Sequence, residues 1–156
     1  LIVLLGRKQL SQWLMLLLFS QKGASHKNSH PLLLMVINRT EIMTGLLCLI
    51  KPDCTKGEIE SAYLVGMLSL IHLLFHMQHR EILNHLNVSK EIEDAMFEAD
   101  CFLGRLLVMT RYIESNDTVH INGLVDRHRL DPQKVNELIV TAMKKVNEFD
   151  EAMGML

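Results

Sequence analysis

Thr55-Lys56-Gly57-Glu58, followed by Ala62-Tyr63-Leu64-Val65-Gly66-Met67-Leu68-Ser69-Leu70-Ile71-His72-Leu73-Leu74-Phe75, is the stretch on which the fold turns. Thr55 and Glu58 have the spacing of a capping box: the threonine caps a helix start and the glutamate reaches back to it. From Ala62 to Phe75 the chain is apolar nearly all round. A helix without a polar face belongs in the middle of a bundle, surrounded by others. Its longest apolar run, Ala62 to Ile71 with Ser69 inside it, stops at His72. A membrane-spanning helix needs about 20 such residues, so no span is expected.

Upstream, Lys51-Pro52-Asp53 breaks the chain, and the apolar segment before it predicts a helix from Pro31 to Ile50. Pro31 suits a first turn, where a missing N–H costs nothing. Arg39 and Glu41 stand in this mostly apolar segment and are expected to form a partly buried ion pair. Further back, Gly23-Ala24-Ser25 and the polar residues His26 to His30 read as a loop, and Arg7 to Gln21 as a helix. Downstream, helices are expected around Arg80 to Leu86, from Ser89 to Ala99, from Phe102 to Glu114 and from Thr118 to Arg129. Ile92, Ala95, Met96 and Ala99 recur at three-and-four spacing and mark one buried face. Asp131-Pro132, an N-cap and a first-turn proline, opens a long last helix. Its stripe of Val135, Leu138, Ile139, Ala142, Met143, Val146, Phe149 and Met153 reads as a core contact in preference to an oligomer seam. The expected fold class is all-α: one irregular multi-helix domain over residues 1–156.

The chain has 156 residues, enough for one domain with a proper core. Hydrophobic residues make up 49% of it, which excludes disorder for want of burial. Lysine and arginine number 16 against 18 acids, so the basic excess a nucleic-acid binder uses on phosphates is missing. Arg127-His128-Arg129 is too short a run to replace it. Cys48, Cys54 and Cys101 form no C-x-x-C pair and are an odd number, which argues against a zinc cluster and a disulfide scaffold. Reduced, partly buried thiols in a cytoplasmic protein are the expectation.

His72, His76 and His79 lie at i, i+4 and i+7. On the central helix that spacing puts all three within a narrow arc, where they could offer three imidazoles to a metal. They are weak candidates, because no carboxylate joins them and Leu73 follows the first histidine where a zinc peptidase has glutamate. The sequence contains no G-x-S-x-G elbow, G-x-G-x-x-G turn or P-loop. No catalytic residue and no cofactor-binding residue is assigned.

Three stretches together resemble the HDOD family, helical output domains of bacterial signalling proteins related to HD-type phosphohydrolases. They are Leu4-Leu5-Gly6 with Leu10 and Trp13; Ala62 through Leu70; and Leu103-Gly104-Arg105-Leu106-Leu107 continuing to Tyr112, Glu114 and Asp117. Their order is similar to that in HDOD domains that follow an EAL domain, the cyclic-di-GMP phosphodiesterase module. In catalytic HD proteins the central helix carries a metal-binding His-Asp pair. Aligned on Gly66, that pair falls on Ser69 and Leu70, so the resemblance implies no metal and no catalysis. His72 stands where EAL-linked relatives often carry an acid. Family domains begin some tens of residues before the Leu-Gly motif, so the chain is expected to be a C-terminal fragment lacking the first helices of its domain.

The resemblance therefore implies a non-catalytic regulatory output module in the cytoplasm. Its partners would be an EAL-like domain in cis or a downstream signalling protein. Two other readings stand beside it: a metal-dependent phosphohydrolase with a displaced site at His72, His76 and His79, and a helical homodimerisation module using the stripe from Val135 to Met153.

Overall fold

The computed structural model describes residues 26–75, 78–80, 83, 88–97 and 100–154. Six helices run through them: α1 (His26–Ile50), α2 (Lys56–Phe75), α3 (Lys90–Phe97), α4 (Phe102–Glu114), α5 (Thr118–His128) and α6 (Pro132–Gly154). There is no strand among the described residues. The all-α class read from the periodicity is the observed one. The expected helix from Arg7 to Gln21 lies outside the described residues, as does most of the one from Arg80 to Leu86.

α1 is the hub, packing against α2, α6 and α4, while α3 bridges α2 and α4, and α5 lies on α4. Met43, Leu46 and Leu47 of α1 meet Val65, Met67 and Leu68 of α2 in the core, and Leu106 and Leu107 of α4 close it. Each is at most 3% exposed, and burying such a side chain contributes about 1.5–3 kcal/mol. Thr40 and Thr44 are also buried on α1. Their hydroxyls donate to the carbonyls of Val36 and Thr40, so neither leaves a polar atom unsatisfied.

Two glycines set how closely the helices approach. A Cβ on Gly66 would lie 3.4 Å from the Thr40 backbone, so α1 and α2 touch almost backbone to backbone there. A Cβ on Gly45 would lie 2.1 Å from Leu138 Cδ1: the leucine of α6 fills the notch that glycine leaves on α1.

Local starts and stops follow chemistry legible in the sequence. The Thr55 N–H donates to Glu58 Oε2 at 2.8 Å, and the Glu58 N–H donates to Thr55 Oγ1 at 3.3 Å, closing the capping box. Asp131 caps α6 by accepting from the Gln133 N–H at 2.9 Å. α5 ends one residue earlier than expected, because Arg129 takes the left-handed conformation (φ 52°) as its C-cap. α3 begins at Lys90, and the Ser89 carbonyl before it accepts from Ile92 and Glu93; Glu98 and Ala99 lie outside the described residues.

Three expectations need correction. His26 to His30, expected as part of a loop, are already helical in α1, so Pro31 lies inside it. There proline gives up the hydrogen bond to the Lys27 carbonyl and its ring crowds that carbonyl, although its fixed φ is helical. Arg39 and Glu41 do not pair with each other. Two positions apart on a helix, they point to different sides; Arg39 goes to Glu114 and Glu41 to Lys145. Finally, Pro31–Ile50 is long and apolar enough to cross a membrane by length and composition, a feature missed because Arg39 and Glu41 divide its apolar runs. Half of that segment is buried against the rest of the protein.

The α6 stripe packs on α1. Val135 and Ala142 are buried, Leu138 and Ile139 lie against the core, and Met143 is 58% exposed. The side chain of Met153 lies outside the described residues.

Candidate functional site

Ser69 and Leu70, the pair that the resemblance aligns with metal-binding His-Asp, are both buried on α2. What surrounds Ser69 is an ion pair. Arg39 Nε and Nη2 donate to the two carboxylate oxygens of Glu114 at 3.0 and 2.6 Å, and Arg39 Nη1 donates to Ser69 Oγ at 3.0 Å. The Ser69 hydroxyl passes its own proton to the Gly66 carbonyl at 2.7 Å. Three helices thus meet at one guanidinium: Arg39 from α1, Ser69 from α2 and Glu114 from α4. The side chains of Arg39 and Glu114 are only 10% and 18% exposed, where a two-armed charge-assisted pair is strongest. Arg111, one turn before Glu114, is lowered from its ordinary value by burial and then by the positive charge of Arg39.

This arrangement is chemically unsuited to a metal. A cation at Ser69 would meet a guanidinium already there, the serine oxygen is engaged on both sides, and Leu70 has no donor atom. The histidine cluster fares no better among the described residues. His72 lies on α2, its side chain outside the description, and His76 lies outside altogether. α2 ends at Phe75 and Gln78 is not helical, so His79 does not continue the helix of His72. The i, i+4, i+7 geometry required that continuity. His79 Nε2 instead lies 3.3 Å from the Ser69 carbonyl oxygen. No group of three metal-ligating side chains occurs among the described residues.

The described surface holds a groove of about 310 Å³ between α4 and α5. Met109 and Leu124 line it, Tyr112 and His120 stand at one side, and Arg105 and Arg127 contribute its charge. The tyrosine and histidine rings stack with centroids 4.2 Å apart and planes within 11°. Asp117, the N-cap of α5, holds the histidine: its carboxylate accepts from the His120 N–H at 3.2 Å and lies 2.7 Å from ring Nδ1. These bonds, the backbone one foremost, keep the Asp117 carboxyl below its ordinary value. Arg105 donates to the Asp100 carbonyl. Neither groove arginine has a carboxylate partner among the described residues. Sequence reading did not find this groove. Its walls come from two helices whose crossing no periodicity specifies.

The cysteines also depart from expectation. Cys101 is the N-cap of α4, its sulfur accepting from the Gly104 N–H at 3.2 Å. Cys48 is exposed, not partly buried, and its Sγ lies 3.4 Å from Cys54 Sγ.

The chain is similar to the uncharacterized protein YuxH of Bacillus subtilis, with 27% identity over 157 residues. The alignment covers 97% of this chain and 36% of YuxH, so the chain spans about a third of that relative's length. No protein-family model matches the chain. No solved structure matches it either.

Proposed function

We propose that this chain is a non-catalytic regulatory module of HDOD type, acting in the cytoplasm through contacts with an EAL-like domain in cis or with a downstream signalling protein. The observation that carries the reading is the Arg39 guanidinium on Ser69. Where HD enzymes place a metal-binding pair, this chain has a hydroxyl, a leucine and a fixed positive charge. An ion pair joining three helices suits a structural clamp at that position better than a hydrolytic metal.

The groove between α4 and α5 is the contact face that fits such a role. A groove lined by Met109 and Leu124 together with two arginines without carboxylate partners among the described residues suits an acidic, partly apolar segment of a partner. The phosphohydrolase alternative has less support, since His79 is not on the helix that carries His72. Assaying the purified chain with Mn²⁺ or Mg²⁺ against a phosphodiester such as bis-p-nitrophenyl phosphate tests the reading. No turnover above buffer is expected. Metal-dependent turnover that disappears on His79→Ala would overturn it.

A further inference from the structure

We propose that Cys48 and Cys54 are a redox modification site, closing to an intramolecular disulfide when a peroxide reaches the exposed thiol. The inference is independent of the regulatory reading. Cys48 lies in the last turn of α1. The chain then reverses: the Lys51 N–H donates to the Leu47 carbonyl at 2.8 Å and the Cys54 N–H to the Lys51 carbonyl at 3.0 Å. That turn carries Cys54 back over the helix end it has just left, and the two sulfurs come within 3.4 Å. A disulfide bond is about 2.05 Å long, so the sulfurs must approach by only about 1.4 Å. Rotation of an exposed side chain supplies a movement of that size.

The two thiols are placed differently, and the difference assigns their roles. Cys48 is open to solvent, whereas Cys54 is half-buried and packs against the core. Hydrogen peroxide therefore meets Cys48 first. The Cys48 sulfur takes one peroxide oxygen, the O–O bond breaks, and Cys–SOH and one water form. The Cys54 sulfur then attacks the Cys48 sulfur; the S–O bond breaks, the S–S bond forms, and the hydroxyl leaves as a second water with the Cys54 proton. Two thiols have lost two electrons and two protons, and the peroxide has taken both. Thiol exchange with a reductant such as dithiothreitol reverses the bond.

The bond would tie the end of α1 to the residue preceding Thr55, the cap of α2. It would fix the turn that joins the two most extensively packed helices.

Hydrogen peroxide treatment of the purified chain, followed by denaturation, alkylation and peptide mass analysis, is the test. The expected result is that two of the three thiols become resistant to alkylation, with a Cys48–Cys54 cross-link in the digest that dithiothreitol removes. Cys101→Ser should retain the cross-link, and Cys48→Ser and Cys54→Ser should each abolish it. The proposal is overturned if all three thiols stay alkylatable, if the link runs through Cys101 or between chains, or if Cys48 proceeds to sulfinic acid without bonding to Cys54. Circular dichroism of the two serine variants separates loss of the cross-link from loss of the fold.

Discussion

Arg39 and Glu114, 75 positions apart in sequence, are joined through both arms of the guanidinium and both carboxylate oxygens. The remaining arginine nitrogen rests on Ser69. One charged pair therefore fixes the first, second and fourth helices relative to each other.

Removing one partner leaves the other charge buried. Arg39→Met and Glu114→Leu should each cost about 3–5 kcal/mol, whereas the double variant should recover much of the loss because no charge is stranded. Urea unfolding of the four proteins measures this. Equal, additive losses would show that the pair is solvated and contributes little.

The notch at Gly45 makes a sharper prediction. Alanine gains about 1 kcal/mol of helix propensity over glycine, but its methyl would overlap the Leu138 side chain. Overpacking of this kind costs about 1–3 kcal/mol, so Gly45→Ala should be neutral to destabilising. In a Leu138→Ala background the overlap is gone, and the same change should stabilise. Thermal unfolding of the set gives the sign of the coupling.

Glu58 links stability to acid. Its hydrogen bond from Lys51, followed by those from the Thr55 N–H and hydroxyl, lowers its carboxyl from 4.5 to about 2. A group whose folded value is depressed stabilises the fold above its unfolded value and loses that effect as pH falls through the folded one. The stability difference between the native chain and Glu58→Gln should be constant above pH 4.5 and shrink steadily toward pH 2. A difference that does not change over that window would mean the capping box carries no charge-dependent stability.

Two residues lining the α4–α5 groove differ sharply in burial. Val119 is 77% exposed and Leu124 5%. Val119→Ser should change unfolding free energy by less than about 0.5 kcal/mol, and Leu124→Ala should cost about 2–5 kcal/mol. Should both prove neutral, α5 would not be packed on α4 as described.

The sequence revealed what short-range chemistry determines. Thr55 with Glu58 and Asp131 with Pro132 announce helix starts because caps act within one turn. The apolar run from Ala62 announces a central helix because nothing else can hide it. Arg39 with Glu114 was not legible, since a pair so far apart depends on how whole helices cross; the nearer Glu41 looked the better partner. Cys48 and Cys54 escaped for a related reason. Six positions apart matches no metal or redox spacing, and only the turn at Lys51 to Asp53 brings the sulfurs together. The histidines were legible only as a spacing: His79 is not on the helix of His72, because Gln78 between them is not helical, and His76 lies outside the described residues.

The seating of Leu138 in the Gly45 notch, with Lys145 bonded to Glu41 across 104 positions, also bears on the order of synthesis. α1 leaves the ribosome first among the described helices, yet the element that covers this side of it is the last to be made. Translation proceeds at about 5–20 residues per second, so that side of α1 stays bare for several seconds on every nascent chain. During that interval the growing polypeptide offers the Gly45 side of α1 to any chaperone able to bind an apolar helix, and slowing translation beyond α4 should lengthen its dependence on one.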